Sequence, residues 1–152
     1  MVNQRSRIEL TAEEQRELID SARVMQVASI GSDGRPHLVP MWFVYDDDGR
    51  LVFTTYGSSQ KVRNLERDPR MTVLLEAGTA YTELRGLSID ATAEIVRDPH
   101  RTARVLQLVG ARYAGLERPA PTPGAEPPPV AHKRVTVIVK PGHIRSWDHR
   151  KL

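Results

Sequence analysis

The feature that most constrains the fold is a series of short runs rich in β-branched and aromatic residues. These runs are RVMQVASI, PHLVPMWFVY and LVFTTY. Gly31-Ser32-Asp33-Gly34 separates the first two runs, and Asp47-Asp48-Gly49 separates the second from the third. Asp-Gly between runs of this kind is a strong hairpin signal. We therefore predict three sequential strands that form an antiparallel meander.

Further strands are predicted in the second half of the chain. MTVLLEAG and LRGLSIDATAEIV each indicate a strand, and the second run is long enough to bend or to serve two sides of a barrel. RVTVIVK and HIRSW predict a final hairpin around Pro141-Gly142. Six or more antiparallel strands in a chain of 152 residues close most easily into a small barrel, because closure removes exposed strand edges.

Three short helices are predicted from the residues at their ends. Thr11-Ala12-Glu13-Glu14 is a capping box that starts the first helix. The second helix begins at about Ser59 and is stopped by Asp68-Pro69, because the residue before proline disfavours the helical region. Asp98-Pro99 starts the third helix, which is predicted to end near Gly115.

Composition fits one domain over residues 1–152, since 39% hydrophobic content is enough for a single core. Six of the eleven prolines lie between Arg118 and Val130. We predict a stiff, solvated loop over residues 118–130, and the sequence leaves open whether it is a connector or a lid.

Charge and residue counts argue against several classes of function. A net charge of +3 and an aromatic content of 5% are too low for a nucleic-acid surface. There is no cysteine, and the five histidines form no HExxH pattern, so we expect no metal. The longest apolar run, Leu38 to Tyr45, is too short to span a bilayer, and the polar first residues lack the apolar centre of a signal peptide. We expect a cytoplasmic protein without a membrane partner.

The junction between the third predicted strand and the second helix has the composition of an anion site. Thr54, Thr55 and Ser59 supply hydroxyl groups, the helix start supplies free backbone N–H groups, and Lys61 supplies an ammonium group. A cation in the first turn of a helix opposes the helix dipole unless both face an anion. The charge alone is weak support, because Arg101 occupies the same kind of position in the third helix.

Nearby arginines have a simpler interpretation. Arg63 with Glu66, and Glu66 with Arg70, have the spacing of ion pairs on a solvated helix face. Arg67 fits the same description. The alternative is that Arg63, Arg67 and Arg70 form a basic surface beside the anion site.

The stretch RPHLVPMWFVYDDDGRLVFTTYGSSQKVRNLERDPRMTVLLE resembles the pyridoxamine 5′-phosphate oxidase-like split β-barrel superfamily. Within it, the chain is most similar to the actinobacterial flavin/deazaflavin oxidoreductases that use coenzyme F420. KVRNLERDPR after TTYGSS carries the resemblance most specifically, and the similarity covers roughly residues 8 to 97. It implies an α+β, mainly β fold: an antiparallel split barrel of six to seven strands with short flanking helices.

The resemblance also implies a homodimer with two cofactor sites at the subunit interface. The strand from Val39 to Trp42 would run along the tricyclic ring of the cofactor. Trp147 is either a cover for this site or a packed residue, and Tyr81 and Arg85 either face the substrate or are structural. The residues implied to hold the cofactor are Val39, Pro40, Met41 and Trp42 for the ring, and Thr54, Thr55, Ser59, Gln60, Lys61 and Asn64 for the phosphate.

The expected function is that of an F420-dependent reductase, which passes hydride from reduced deazaflavin to an unsaturated or quinone-like small molecule. No catalytic residue is expected, because the cofactor carries the chemistry. FMN in place of F420 is one alternative, and a non-enzymatic protein that binds a flavin, deazaflavin or tetrapyrrole is another. Vitamin B6 chemistry is not expected, since the end IRSWDHRKL does not resemble the C-terminus of true pyridoxamine phosphate oxidases.

Overall fold

The computed structural model describes residues 3–152, which form seven strands and five α-helices. Single 3₁₀ turns lie at Tyr81–Glu83 and His149–Lys151. The strands are β1 (Met25–Ile30), β2 (Pro36–Met41), β3 (Val44–Tyr45), β4 (Leu51–Tyr56), β5 (Arg70–Ala77), β6 (Arg85–Val96) and β7 (Arg134–Asp148). The helices are α1 (Gln4–Arg7), α2 (Ala12–Ser21), α3 (Gln60–Arg67), α4 (Pro99–Tyr113) and α5 (Pro129–Lys133).

The strands form one antiparallel sheet in the order β2-β1-β5-β6-β7-β4-β3. Its two edge strands, β2 and β3, are neighbours in the chain and are joined by Trp42 and Phe43 alone. Three peptide steps from Met41 to Val44 span at most about 11 Å. The sheet must therefore curl until its two edges approach each other. This confirms the prediction of a mainly β split barrel with short helices.

The predicted three-stranded meander is wrong, because the run PHLVPMWFVY divides into β2 and β3. β2 pairs with β1, whereas β3 pairs with β4 at the other edge of the sheet. The side chain of Phe43 is buried in the barrel core, and its N–H donates to the Tyr113 hydroxyl at 3.1 Å. The Trp42 ring stacks on the Tyr113 ring. These contacts with α4 take the backbone out of the β2 ladder.

The predicted final hairpin is also wrong, because residues 134–148 are one long strand. β6 pairs with β7 along both halves, from Val96↔Thr136 to Arg85↔Asp148. Between Pro141 and Ile144 the register shifts by one residue, which is a β-bulge instead of a reversal. The local turn signal is overridden because the twelve residues of β6 offer a continuous partner for both halves of β7.

The three predicted helices are present. Thr11 and Glu14 form the capping box of α2, and Asp98 caps α4. The glycine after α4, Gly115, has a φ of +69°, a left-handed conformation that suits a helix end. The short helices α1 and α5 were not predicted, and α5 begins inside the expected loop at Pro129.

Apolar side chains from α3 anchor this helix across the barrel. Val62 and Leu65 are buried in the main core together with Phe53 of β4 and Val27 of β1. A second cluster packs α4 against the other face of β4 and β7. Among residues 3–152, none of the helices is both long and apolar enough to cross a bilayer.

Candidate anion-binding site

The start of α3 follows β4 through a tight turn, which places Lys61 beside the end of the strand. The Ser59 N–H donates to the Tyr56 carbonyl at 3.0 Å and closes this turn. The Lys61 Nζ atom then donates to Thr55 Oγ1 at 2.9 Å. Thr55 is almost fully buried, so the ammonium group is held against the barrel. The structure thus brings together two of the residues that the sequence placed in the site.

Burial lowers the pKa of Lys61, and the positive charge of Arg134 lowers it further. Both effects disfavour the charged ammonium, whereas a bound anion would favour it. Two positive charges, those of Lys61 and Arg134, therefore lie near each other at this end of β4.

Arg134 is the residue of this site that the sequence analysis missed. It lies opposite Tyr56 in the β4–β7 ladder, and its guanidinium carbon lies 4.5 Å from the centroid of the Tyr56 ring. The guanidinium donates to Thr54 Oγ1 at 3.3 Å and to the Thr54 carbonyl at 3.1 Å. A basic residue opening the run RVTVIVK is a visible signal, but only the pairing of β7 with β4 brings it here.

Thr54 and Thr55 form hydrogen bonds with different cations, because successive side chains of a strand point to opposite faces of the sheet. The Thr55 hydroxyl accepts from Lys61, and the Thr54 hydroxyl accepts from Arg134. The expected gathering of both hydroxyls around the lysine is therefore not what the structure shows. Instead, two separate cation–hydroxyl pairs lie on opposite faces of the sheet at the end of β4.

Ser59 has the extended backbone conformation of an N-cap, with φ −69° and ψ 155°, but its side chain makes no capping hydrogen bond. Its Oγ atom is buried without a hydrogen-bond partner among residues 3–152. The first N–H groups of α3 also lack acceptors within the helix. A buried hydroxyl without a partner is uncommon and is expected where a ligand completes the hydrogen bonding.

Gln60 and Asn64 form a polar link on the side of α3 that faces β1. Gln60 Nε2 donates to Asn64 Oδ1 at 2.8 Å, and Asn64 Nδ2 donates to Ser29 Oγ at 3.1 Å. Asn64 is fully buried, so its hydrogen bonds fix the helix on the sheet. This is a positioning arrangement, since the amide groups of Asn64 are engaged within the chain.

The predicted ion pairs of α3 are replaced by others. Glu66 pairs with Arg97, and Arg70 pairs with Asp68 at 2.7 Å. The Arg67 guanidinium donates to the Ile30 carbonyl at 2.6 Å. The ion pairs formed within residues 3–152 include neither Arg63 nor Arg67. Arg70 is thus paired with Asp68, while the other two arginines of the expected basic surface form no ion pair in this part of the chain.

The residues expected along a cofactor ring lie at one edge of the sheet. Val39 and Met41 are half-buried against the barrel core, and Pro40 is exposed. Trp42 is 57% exposed, and its ring stacks on Tyr113 at 4.2 Å between centroids. The hydrogen bonds around Lys61 and Arg134 do not include these residues, so the structure does not by itself join the two groups.

Tyr81, Arg85 and Trp147 are the residues for which the sequence left two roles open. Tyr81 is exposed and lies beside the His149 ring, with 4.7 Å between centroids. Arg85 is half-buried at the start of β6, opposite Asp148. The Trp147 ring packs directly on the backbone of Gly86, where it occupies the space that a side chain would need. Within residues 3–152, no group of three His, Cys, Asp or Glu side chains is positioned to hold a metal ion.

A curled, seven-stranded antiparallel sheet with short flanking helices defines a mainly β, split-barrel protein. The chain belongs to the pyridoxamine 5′-phosphate oxidase family, whose model matches residues 11–148.

Three known proteins are similar to this chain in sequence or structure. A conserved hypothetical protein from Mycobacterium tuberculosis, Rv2991, is 40% identical, with a TM-score of 0.84 over 99% of this chain and 92% of that one. A structure described as an F420 reductase is 27% identical, with a TM-score of 0.65 over 85% of this chain and 94% of that one. Heme oxygenase HutZ from Vibrio cholerae serotype O1 is 27% identical over 107 residues, which are 66% of this chain. The chain spans about 60% of the length of that curated relative.

Proposed function

We propose that this protein is an F420-dependent reductase, which transfers hydride from reduced deazaflavin to an unsaturated or quinone-like small molecule. The observation that carries the proposal is the cationic corner at the start of α3. Lys61 and Arg134 lie near enough there for the charge of one to lower the pKa of the other, and the Ser59 hydroxyl, two residues before Lys61, is buried without a partner. Neither cation forms an ion pair within residues 3–152.

The donor set of this corner fits a phosphate group. Lys61 supplies a point charge, Arg134 supplies a planar fork of donors, and Ser59 supplies a hydroxyl. Together with the N-terminal N–H groups of α3, they would hold the cofactor phosphate. The bound cofactor would supply the hydride chemistry. The chain would contribute binding, orientation and exclusion of water.

F420 is preferred over FMN for two reasons. The first is the similarity to a structure described as an F420 reductase over most of both chains. The second is charge, because F420 continues beyond its phosphate into an anionic tail, whereas FMN ends there. Arg63 and Arg67 lie on α3 and would attract such a tail, since neither side chain forms an ion pair within residues 3–152.

A homodimer with the cofactor at the subunit interface is part of the proposal. On β2, Pro36, Leu38 and Pro40 point outwards and are exposed, with Leu38 64% exposed. An edge strand with an exposed apolar face is expected to be covered by a partner. Leu38→Asp should shift the sedimentation coefficient towards that of a monomer. A wild-type chain that sediments as a monomer at micromolar concentration contradicts this part of the proposal.

Equilibrium dialysis of the purified protein against F420 and FMN tests the choice of cofactor. We expect tighter binding of F420, and the reverse order would favour FMN. Stopped-flow oxidation of reduced F420, with a panel of quinones and enones as acceptors, then tests turnover. Tight binding of F420 without acceleration for any acceptor would indicate a carrier instead of an enzyme.

A second candidate is a tetrapyrrole-binding protein, because the curated relative is a heme oxygenase. Hemin titration monitored by the Soret band separates this candidate from the first. Saturable hemin binding that is unaffected by Lys61→Ala, without binding of F420, would support it.

A cytoplasmic location stays a prediction, which fractionation of the producing cells would test.

A further inference from the structure

A cavity of about 450 Å³ lies between α2, the β3–β4 turn and the bulged part of β7. This volume is within the range of sites for small molecules. It is lined by Gln15, Ile19, Tyr45, Gly49, Arg50 and Leu51 on one side, and by Leu87, Ile89, Ile138, Val139, Lys140, Pro141 and Ile144 on the other.

The cavity lies where β7 no longer pairs with β4. The β4–β7 ladder runs from Tyr56↔Arg134 to Val52↔Ile138 and so includes only the first third of β7. Beyond Ile138, β7 continues with β6 alone, and a bulge at Gly142-His143 interrupts its regular pairing. The barrel therefore opens at this point, and Ile19 of α2 covers one side of the opening.

The walls of the cavity are core side chains. Leu51, Leu87, Ile89 and Val139 are all at least 92% buried and belong to the barrel core. The walls of the cavity are therefore apolar, and apolar walls offer water few hydrogen bonds. An apolar molecule that entered the cavity would gain packing contacts with these side chains.

The rim indicates that such a molecule carries no charge. Arg50 is paired with Asp46 at 3.0 Å and with Asp48 at 2.8 Å, and Lys140 is paired with Glu94 at 2.7 Å. These ion pairs leave little net charge to attract an ionic ligand.

Two uncharged polar groups remain at the rim. The Gln15 amide nitrogen donates to the Leu10 carbonyl at 3.1 Å, which leaves the amide oxygen as an acceptor. Burial raises the pKa of Tyr45, so its hydroxyl stays protonated and is able to donate. The rim can thus accept one hydrogen bond and donate another.

We propose that this cavity is a second ligand site, which takes a neutral, lipophilic molecule of drug-like size with one hydrogen-bonding group. It is separate from the cationic corner at α3. Leu51 lines the cavity and Thr55 holds Lys61, and the four residue steps of extended strand from Leu51 to Thr55 span about 13 Å. The proposal does not depend on which cofactor binds at α3.

N-phenyl-1-naphthylamine is a suitable probe, because it is neutral, aromatic and fluorescent in apolar surroundings. We expect a saturable fluorescence increase with a single class of sites on the wild-type protein. Ile144 is 41% exposed at the mouth of the cavity, so Ile144→Trp should block the cavity without disturbing the core. Affinity for the probe should fall at least about tenfold in this variant.

Val24→Trp is the matched control, because Val24 is 39% exposed and lies away from the cavity, just before β1. Probe affinity should be unchanged in this control. Absence of saturable binding to the wild type, or equal affinity in Ile144→Trp, overturns the proposal. A dimer-to-monomer change caused by Ile144→Trp would mean that a second subunit occupies the cavity, which also overturns it.

Discussion

Cationic side chains lie at both ends of β4, but carboxylates neutralise them at only one end. At the turn before β4, Asp46, Asp47 and Asp48 lie within 4.0 Å of guanidinium groups. After β4, Lys61 and Arg134 contact threonine oxygens and form no ion pair within residues 3–152. The arginines that the three aspartates neutralise are Arg50, Arg101, Arg104 and Arg118.

The difference separates a structural cluster from a binding site. Asp47 joins Arg104 of α4 to Arg118 at the start of the proline-rich loop, at 2.7 and 2.9 Å. The negative charge of Asp47 is therefore balanced by arginines of the same chain. At the other end of β4, the positive charges of Lys61 and Arg134 repel each other. A bound anion would be attracted by both charges and would offset this repulsion.

Among the variants that test the difference between the two ends of β4, Lys61→Ala should have the largest effect. We expect cofactor binding to weaken by about 1.5–3 kcal/mol, the usual scale for a hydrogen bond to a charged group. The fold should be retained, because the lysine forms no ion pair in the described chain. Isothermal titration calorimetry measures the change. Lys140→Ala, which removes a lysine paired with Glu94, is the control and should leave cofactor affinity unchanged.

Arg134→Ala should weaken cofactor binding by about 1–2 kcal/mol, because the guanidinium is half-exposed and supplies the second charge. It should also raise the pKa of Lys61, since the nearby positive charge is removed. Calorimetric titration over a range of alkaline pH detects both effects. Arg145→Ala is the control, because Arg145 lies on the same strand and is paired with Asp90 at 2.6 Å. Equal losses in both variants would contradict a role for Arg134 in the site.

Ser59→Ala should act with opposite signs on stability and binding. Removing a buried hydroxyl without a partner should leave the free energy of unfolding unchanged or raise it slightly. Cofactor binding should weaken by about 0.5–1.5 kcal/mol if the hydroxyl contacts the ligand. Urea unfolding and calorimetry give the two values, and Ser32→Ala in the exposed β1–β2 turn is the control. A loss of stability in Ser59→Ala without a loss of affinity would mean that the hydroxyl has a structural partner.

Asp47→Asn tests the neutralised end of β4 and should have the smallest effect. Hydrogen bonds from Arg104, followed by Arg118, lower the pKa of Asp47 to about 2. A carboxyl whose pKa is lower in the folded state stabilises that state above its unfolded pKa, which is about 3.9. This contribution is lost as the pH falls towards about 2.

We expect Asp47→Asn to lower the free energy of unfolding at pH 7 by about 0.5–1 kcal/mol, since Asp47 is 43% exposed and solvent screens its ion pairs. The difference from the wild type should shrink near pH 2. Urea unfolding at both pH values measures it, with Glu117→Gln, an exposed residue beside Arg118, as the control. A difference of the same size at both pH values would mean that the ion pairs are not its cause.

Local signals predicted local structure well. The capping box at Thr11, the proline stop after Asp68 and the Asp98-Pro99 start each depend on residues within a few positions of one another. Lys61 and Thr55 are six residues apart, and they could be placed together for the same reason.

Errors arose where distant parts of the chain decide the structure. Trp42 and Phe43 leave the sheet because Tyr113, some seventy residues later, binds them. Pro141-Gly142 does not reverse the chain because β6 continues to pair beyond it. Arg134 escaped notice for the same reason, since its place beside Thr54 depends on the pairing of β7 with β4.

The sheet order has a consequence for the timing of folding during synthesis. β7 lies between β6 and β4, yet it is the last strand of residues 3–152 to leave the ribosome. Until then, the β3–β4 hairpin has no partner to join it to the rest of the sheet, and Thr54 and Thr55 lie on an open edge. The nascent chain can pair β1, β2, β5 and β6 early. The cationic corner, in contrast, is completed only when the final strand closes the sheet.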